Sequence, residues 1–159
     1  MATVDGGEGD DTLTGSGADD WFRGAGGRDV LSGGAGADRL IGLGGNDTYI
    51  VDNLGDVIIE GLDQGLDTVK TAFSAYQIGA NVENLTLVGT AAINGTGNGL
   101  ANILIGNSGQ NEVRGGSGDD TVDGAGNVRA TQSRHDGRRP GRIRVEQRHA
   151  SERQDHQAQ

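Results

Sequence analysis

Large apolar residues recur every nine positions at the start of the chain, at Leu13, Phe22, Leu31, Leu40 and Tyr49. Each is flanked by smaller or polar residues and preceded by a glycine-rich stretch. That stretch fits neither a helix nor an ordinary strand. The pattern predicts a three-residue strand in every repeat, with the large apolar residue pointing in and its neighbours out. One repeat buries a single apolar side chain and cannot fold alone. Two repeats make one coil with two short strands facing each other. Coils then stack, with parallel strands about 4.8 Å apart.

The repeats share one frame. Residues 6–14 read GGEGDDTLT, 15–23 GSGADDWFR, 24–32 GAGGRDVLS, 33–41 GGAGADRLI and 42–50 GLGGNDTYI. The frame is G-G-x-G-x-D-x-U-x, with U the apolar residue. Glycines at positions 1, 2 and 4 permit positive φ and close backbone approach. Position 6 is always aspartate: Asp11, Asp20, Asp29, Asp38 and Asp47. A strict repeat of this length predicts a solenoid.

Stacking sets the turn of one repeat beside the turn two repeats on. The like pairs are Asp11 with Asp29, Asp20 with Asp38, and Asp29 with Asp47. Two carboxylates about 5 Å apart repel by ~1 kcal/mol in water and ~3 kcal/mol at an effective dielectric of 20. A divalent cation between them reverses the sign. A row of hard carboxylate oxygens, completed by turn carbonyls, suits calcium. A lone Asp-Gly turn needs no metal, because aspartate is a good turn former. Five in phase, each two residues ahead of an apolar residue, favour ligands.

These repeats resemble the RTX (repeats-in-toxin) calcium-binding nonapeptide family. The resemblance implies an all-β fold, a parallel β-roll or β-helix solenoid. It also implies calcium between adjacent turns and export from a bacterium by a one-step, type I secretion system. Residues 6–14 and 33–41 match the family frame throughout, and the other three repeats depart at one or two glycines.

Four regions follow. Residues 1–50 are the first repeat block. Residues 51–96 break the rhythm and read as an irregular solenoid bridge with strands at 56–60, 67–72 and 84–88. Within the bridge Asp67 sits in half a repeat and is a weaker candidate ligand. Residues 97–127 form a second, degenerate block: GNGLANILI, GNSGQNEVR and GGSGDDTVD. Its sixth positions are Asn102, Asn111 and Asp120. Asparagine offers a neutral oxygen, so Asp120 is the ligand expected here and Asn102 and Asn111 are weaker ones. The alternative for the asparagines is an uncharged ladder that supports the turns without metal.

Residues 128–159 abandon the pattern. They are basic, polar and poor in apolar residues, which predicts a disordered tail. With no interleaved aromatics and no metal-ligand spacing among His135, His149 and His156, a nucleic-acid arm or histidine site is disfavoured. A shifted reading frame is the favoured source of this segment. Back-translated, residues 134–149 yield ATTGGARAGFVLSSAT one base later, which resembles the TGGAGADxFVF ending of RTX blocks.

Charge and composition sharpen the picture. Residues 1–128 hold 19 acidic and 5 basic side chains, net −14, against +4 for the remainder, within a total of −10. An acidic body repels phosphate and anionic membranes and favours cations. Only 33% of residues are hydrophobic and 3% aromatic, while 31 are glycine. Ordering such a chain costs roughly 1–2 kcal/mol per residue, so an added ligand is expected. There is no cysteine. Met1 to Asp5 run into the first repeat without a signal peptide, and no stretch approaches a transmembrane helix.

Catalytic motifs are missing. There is no HExxH, no nucleophile elbow and no P-loop, and Lys70 is the sole lysine. The sequence therefore predicts a non-enzymatic, calcium-binding module of a secreted, extracellular bacterial protein. It is expected to be a monomer or part of a larger chain, with no nucleic acid, no membrane insertion and no small-molecule substrate. Two alternatives stand beside it. One is the C-terminal accessory module of a secreted protease of the serralysin type, a lipase or an alginate epimerase. The other is a metal-independent structural or adhesin solenoid.

Overall fold

The computed structural model describes residues 1–124, 127–131 and 142–147. These form an all-β solenoid of parallel strands. An eight-stranded sheet runs its length, in the order β2 (Thr12–Thr14), β4 (Val30–Ser32), β6 (Thr48–Val51), β8 (Thr68–Thr71), β10 (Asn84–Leu87), β12 (Ile103–Ile105), β14 (Asp120–Gly124) and β16 (Ile143–Gln147). The alternate strands form two shorter sheets. The first holds β1 (Thr3–Glu8), β3 (Trp21–Gly26), β5 (Arg39–Gly44) and β7 (Val57–Ile59). The second holds β9 (Tyr76–Gln77), β11 (Gly95–Thr96), β13 (Gln110–Arg114) and β15 (Asn127–Thr131). No helix among the described residues is long and apolar enough to cross a membrane.

The register follows the repeat. Leu13 pairs with Leu31, Leu31 with Tyr49 and Tyr49 with Val69 along the long sheet. The column continues through Leu85, Leu104 and Val122. Phe22, Leu40 and Ile58 stack in the same way on the first short sheet. These side chains make one narrow core, in which Leu31, Leu40, Tyr49, Val69 and Val122 are fully buried. The bridge keeps this column. The three strands expected there appear as β7, β8 and β10, and two further two-residue strands, β9 and β11, join them.

Coil length varies in the bridge without breaking the sheet. Thr48 pairs with Thr68, two residues beyond the regular offset, and Thr68 then pairs with Asn84, two residues short of it. The strand positions hold because the extra and missing residues fall in turns.

Beyond Asn127 the structure departs from the sequence expectation at two segments. β15 pairs with β13 and β16 with β14, both in parallel. The physical reason is alternation. Ala130 stacks on Val113 and Val145 on Val122, so that both valines are covered, and an open strand edge accepts such a segment. β15 and β16 thus extend the solenoid into part of the segment expected to be a disordered tail. The remainder of the tail expectation, for residues 132–141 and 148–159, lies outside the described residues.

Candidate metal centre

The residue immediately before each strand of the long sheet from β2 to β14 is acidic or asparagine. In the first coils it is the sixth residue of the repeat, and stacking turns these residues into a ladder. The backbone N–H of Asp11 donates to Asp29 Oδ1 at 2.8 Å, that of Asp29 to Asp47 Oδ1 at 2.8 Å, and that of Asp47 to Asp67 Oδ1 at 2.9 Å. The Asp67 N–H continues it to Glu83 Oε2 at 2.8 Å. On the opposite edge Ala2 donates to Asp20 Oδ1, Asp20 to Asp38 Oδ1 at 2.7 Å, and Asp38 to Asp56 Oδ1 at 3.1 Å. Each carboxylate therefore caps the turn of the preceding coil. The stacked pairs expected from the sequence are brought together on both edges.

Apart from Asp11, each of these carboxylates uses one oxygen in this way. An oxygen is buried and unpartnered in Asp11, Asp29, Asp38, Asp47, Asp67 and Asp120, at Oδ2 in every case. Asp20 differs, since its Oδ2 accepts from the Ser16 hydroxyl at 2.8 Å. The glycine at position 1 makes the space. A Cβ on Gly24, Gly33, Gly42 or Gly115 would collide with the carboxylate of Asp29, Asp38, Asp47 or Asp120 respectively. Left-handed backbone is needed at positions 2 and 4 instead, as at Gly34 (φ 79°) and Gly36 (φ 136°). Ala25 (φ 85°) and Leu43 (φ 70°) hold that conformation without being glycine.

A buried carboxylate oxygen with no donor is costly, and a hard cation is the partner that such oxygens suit. The electrostatics agree. Burial pushes the Asp38 and Asp47 carboxyls above the usual range, and the negative charges of Asp56 and Asp29 push them further. Asp56 and Asp120 are raised mainly by burial. Asp67 is raised to about 6 by burial, with Asp47 and Glu83 adding to it. Asp20 moves the other way, lowered first by the Ala2 N–H and then by the Ser16 hydroxyl. The donor set fits calcium: hard oxygens, several negative charges and carbonyl-rich turns beside them.

Position 5 is exposed to solvent at Asp10, Asp19 and Asp119 and also works. Asp10 accepts the Arg28 N–H at 2.8 Å, Asp19 the Ala37 N–H at 2.9 Å, and Asp119 the Arg142 N–H at 2.9 Å. This second ladder caps the following coil rather than the preceding one.

The asparagines of the second block make a different arrangement. Asn102 Nδ2 donates to the Glu83 carbonyl at 3.0 Å, and its Oδ1 accepts from the Asn98 N–H at 2.9 Å. Asn111 Nδ2 donates to the Ile93 carbonyl at 2.8 Å, while its Oδ1 accepts from the Asn107 N–H at 2.9 Å. Asn107 Nδ2 reaches the Ala91 carbonyl at 2.9 Å. Both ends of each amide are engaged, and the amide nitrogens occupy carbonyl oxygens of the neighbouring turn.

Three acidic residues of the ladders escaped the sequence reading. Asp56 carried a signal: it lies nine residues after Asp47, with Ile58 two positions on. Glu83 carried none, because it falls outside the nonapeptide frame, and Glu60 occupies position 1, where the frame places glycine rather than a ligand. Glu60 is pushed up to about 8, by burial first and by the charges of Asp67 and Asp47 next.

Comparison with known proteins agrees with the geometry. The RTX calcium-binding nonapeptide repeat matches four times, at residues 3–31, 14–49, 24–58 and 96–127, together more than half of the chain. No curated protein and no solved structure matches. With this repeat covering the turns that align the carboxylates, the chain belongs to the RTX calcium-binding nonapeptide repeat family.

Proposed function

We propose that this chain is a calcium-binding β-roll module of a secreted bacterial protein, ordered by calcium once it reaches the extracellular medium. One observation carries the reading: the column of buried carboxylate oxygens without donors in Asp11, Asp29, Asp38, Asp47, Asp67 and Asp120. These residues, with Asp20, would hold the ions. The turn carbonyls would complete shells of six to eight oxygens. Calcium supplies positive charge between stacked carboxylates, and its binding free energy becomes folding free energy because the sites do not exist in the unfolded chain. The module is non-enzymatic in this reading, with calcium as its partner.

A metal-independent role has one observation in its favour, confined to the second block. Asn102 and Asn111 have amides engaged at both ends, so they act as a supporting ladder rather than as ligands. An accessory role beside a secreted protease, lipase or epimerase is compatible with the same module.

The test is a calcium titration followed by circular dichroism. Strand signal should appear cooperatively at roughly 0.1–1 mM calcium, the range of extracellular modules. A spectrum that is the same in chelator and in excess calcium would overturn the reading. Asp29 belongs to two stacked pairs and Asp11 to one, so Asp29→Ala should move the midpoint further than Asp11→Ala.

A further inference from the structure

At the seam between the first block and the bridge the ladder gains a member from outside the repeat. One carboxylate oxygen each of Asp47, Glu60 and Asp67 lies within 4.8 Å of the others. We propose that these three residues form a separate three-carboxylate calcium site, tighter than the regular turn sites and loaded before them. The proposal deepens the reading of the chain as a calcium-binding module and rests on it.

Four features support it. Asp47 and Asp67 are each 1% exposed, and their Oδ2 atoms have no partner. Glu60 Oε2 is likewise buried and unpartnered. Glu60 is also oriented, because its Oε1 accepts from the Tyr49 hydroxyl. Gly42 completes the cradle: a Cβ there would run into Asp47 Oδ2, the Tyr49 hydroxyl and Glu60 Oε1 together.

The local chain explains why the site arises here. The coil between β6 and β8 carries two extra residues, and the Gly61 N–H donates to Gln64 Oε1 at 2.6 Å across the resulting turn. This turn follows Glu60 directly. The Asn81 amide holds the Glu60 carbonyl at 3.0 Å from the next coil. Glu60 itself stands eighteen residues after Gly42, at position 1 of the frame, where a regular repeat carries glycine.

Size and charge select the ion. Calcium takes oxygens at about 2.3–2.6 Å in flexible geometry, whereas magnesium demands a near-ideal octahedron at about 2.0–2.1 Å and usually keeps several waters, so a site built from protein carboxylates and turn carbonyls suits calcium. Affinity in oxygen sites rises with the number of charged ligands. A regular pair offers two carboxylates and the seam offers three.

Isothermal titration of the full chain with calcium chloride tests this, comparing the unaltered chain with Glu60→Gln. Glutamine keeps the length and an acceptor for Tyr49 but loses the charge. The unaltered chain should show one tighter calcium ahead of the remainder, weakened by about tenfold or more in Glu60→Gln, with the later ions unchanged. Equal titrations would overturn the seam site and leave the general calcium reading standing. No calcium uptake by the unaltered chain would overturn both. If Glu60→Gln does not fold in excess calcium, terbium chloride gives a second reading on the unaltered chain. Tyr49 touches the site, so the first equivalent of terbium should give tyrosine-sensitised emission that Tyr49→Phe abolishes. Emission that is absent, or unaffected by Tyr49→Phe, would overturn the proposal.

Discussion

The two repeat blocks solve the same stacking problem with different chemistry. In the first, the sixth residue is aspartate: in Asp29, Asp38 and Asp47 one oxygen caps a backbone N–H and the other lies buried without a donor. In the second, asparagine takes the place at Asn102 and Asn111. Its oxygen also caps an N–H, but its nitrogen bonds a carbonyl of the neighbouring turn. The asparagine turn is closed on itself. The aspartate turn is left open in a way that one cation would close. A single atom, oxygen or nitrogen at one side-chain branch, separates a turn that asks for metal from one that does not.

Removing calcium should break the comparison most visibly. With chelator present, amide hydrogen exchange should show the largest loss of protection across β2 to β6, where aspartates dominate. Protection near Asn102 to Asn111 should change least. Solenoid coils contact mainly their neighbours, so the blocks can respond separately. Uniform loss along the whole chain would remove the distinction.

Exchanging the residues should exchange the behaviour. Asn102→Asp leaves the Glu83 carbonyl without its donor and buries a charge, so the calcium-free form should lose about 1–3 kcal/mol by denaturant melting. Asp38→Asn should have the opposite sign in chelator and should lower the number of calcium ions bound.

Acidity should sharpen the contrast further. Glu60 is raised to about 8 and Asp67 to about 6 from ordinary values of 4.5 and 3.8. The folded, calcium-free form thus binds more protons than the unfolded chain, and its stability falls as pH rises. The contribution is fully present below about pH 4 and is lost by about pH 8. Thermal melts in chelator should move down across that window. Calcium needs the deprotonated carboxylates, so melts in excess calcium should move less or in the opposite direction.

The smallest effect belongs to the backbone. Ala25 holds φ 85° where the frame asks for glycine. Ala25→Gly should stabilise the first block by about 1 kcal/mol, with or without calcium, as read from denaturant midpoints. A destabilised variant would show that the Ala25 methyl matters more than its backbone.

Much of this was legible before any coordinates. The nine-residue phase of Leu13 to Tyr49 and of Asp11 to Asp47 fixes the fold, the stacked pairs and the core column, because every coil repeats one local solution. Position 1 was read too simply: its glycine serves to admit the carboxylate, not to allow positive φ. Asp56 was in phase but sat beyond the last obvious glycine. Glu83 was invisible because its place depends on coil length, and period counting carries no information once that length changes, whereas Glu60 stands at position 1, where the frame assigns no ligand. β15 and β16 were missed because alternation over five residues, at Val128 and Ala130 or at Ile143 and Val145, is too short to stand out in a basic segment.

The bridge carries a pair of opposite faults. One coil runs two residues long and the next two residues short, so the offsets cancel and Asn84 regains the phase that Thr48 had. In a crystal, two dislocations of opposite sign annihilate in the same manner, and the lattice beyond them is undisturbed. The following coil then runs one residue long, since Leu85 pairs with Leu104, and still Leu104 and Val122 continue the column begun by Leu13. It follows that this solenoid absorbs changes of coil length in its turns, in compensating pairs and singly, while the core column stays in line.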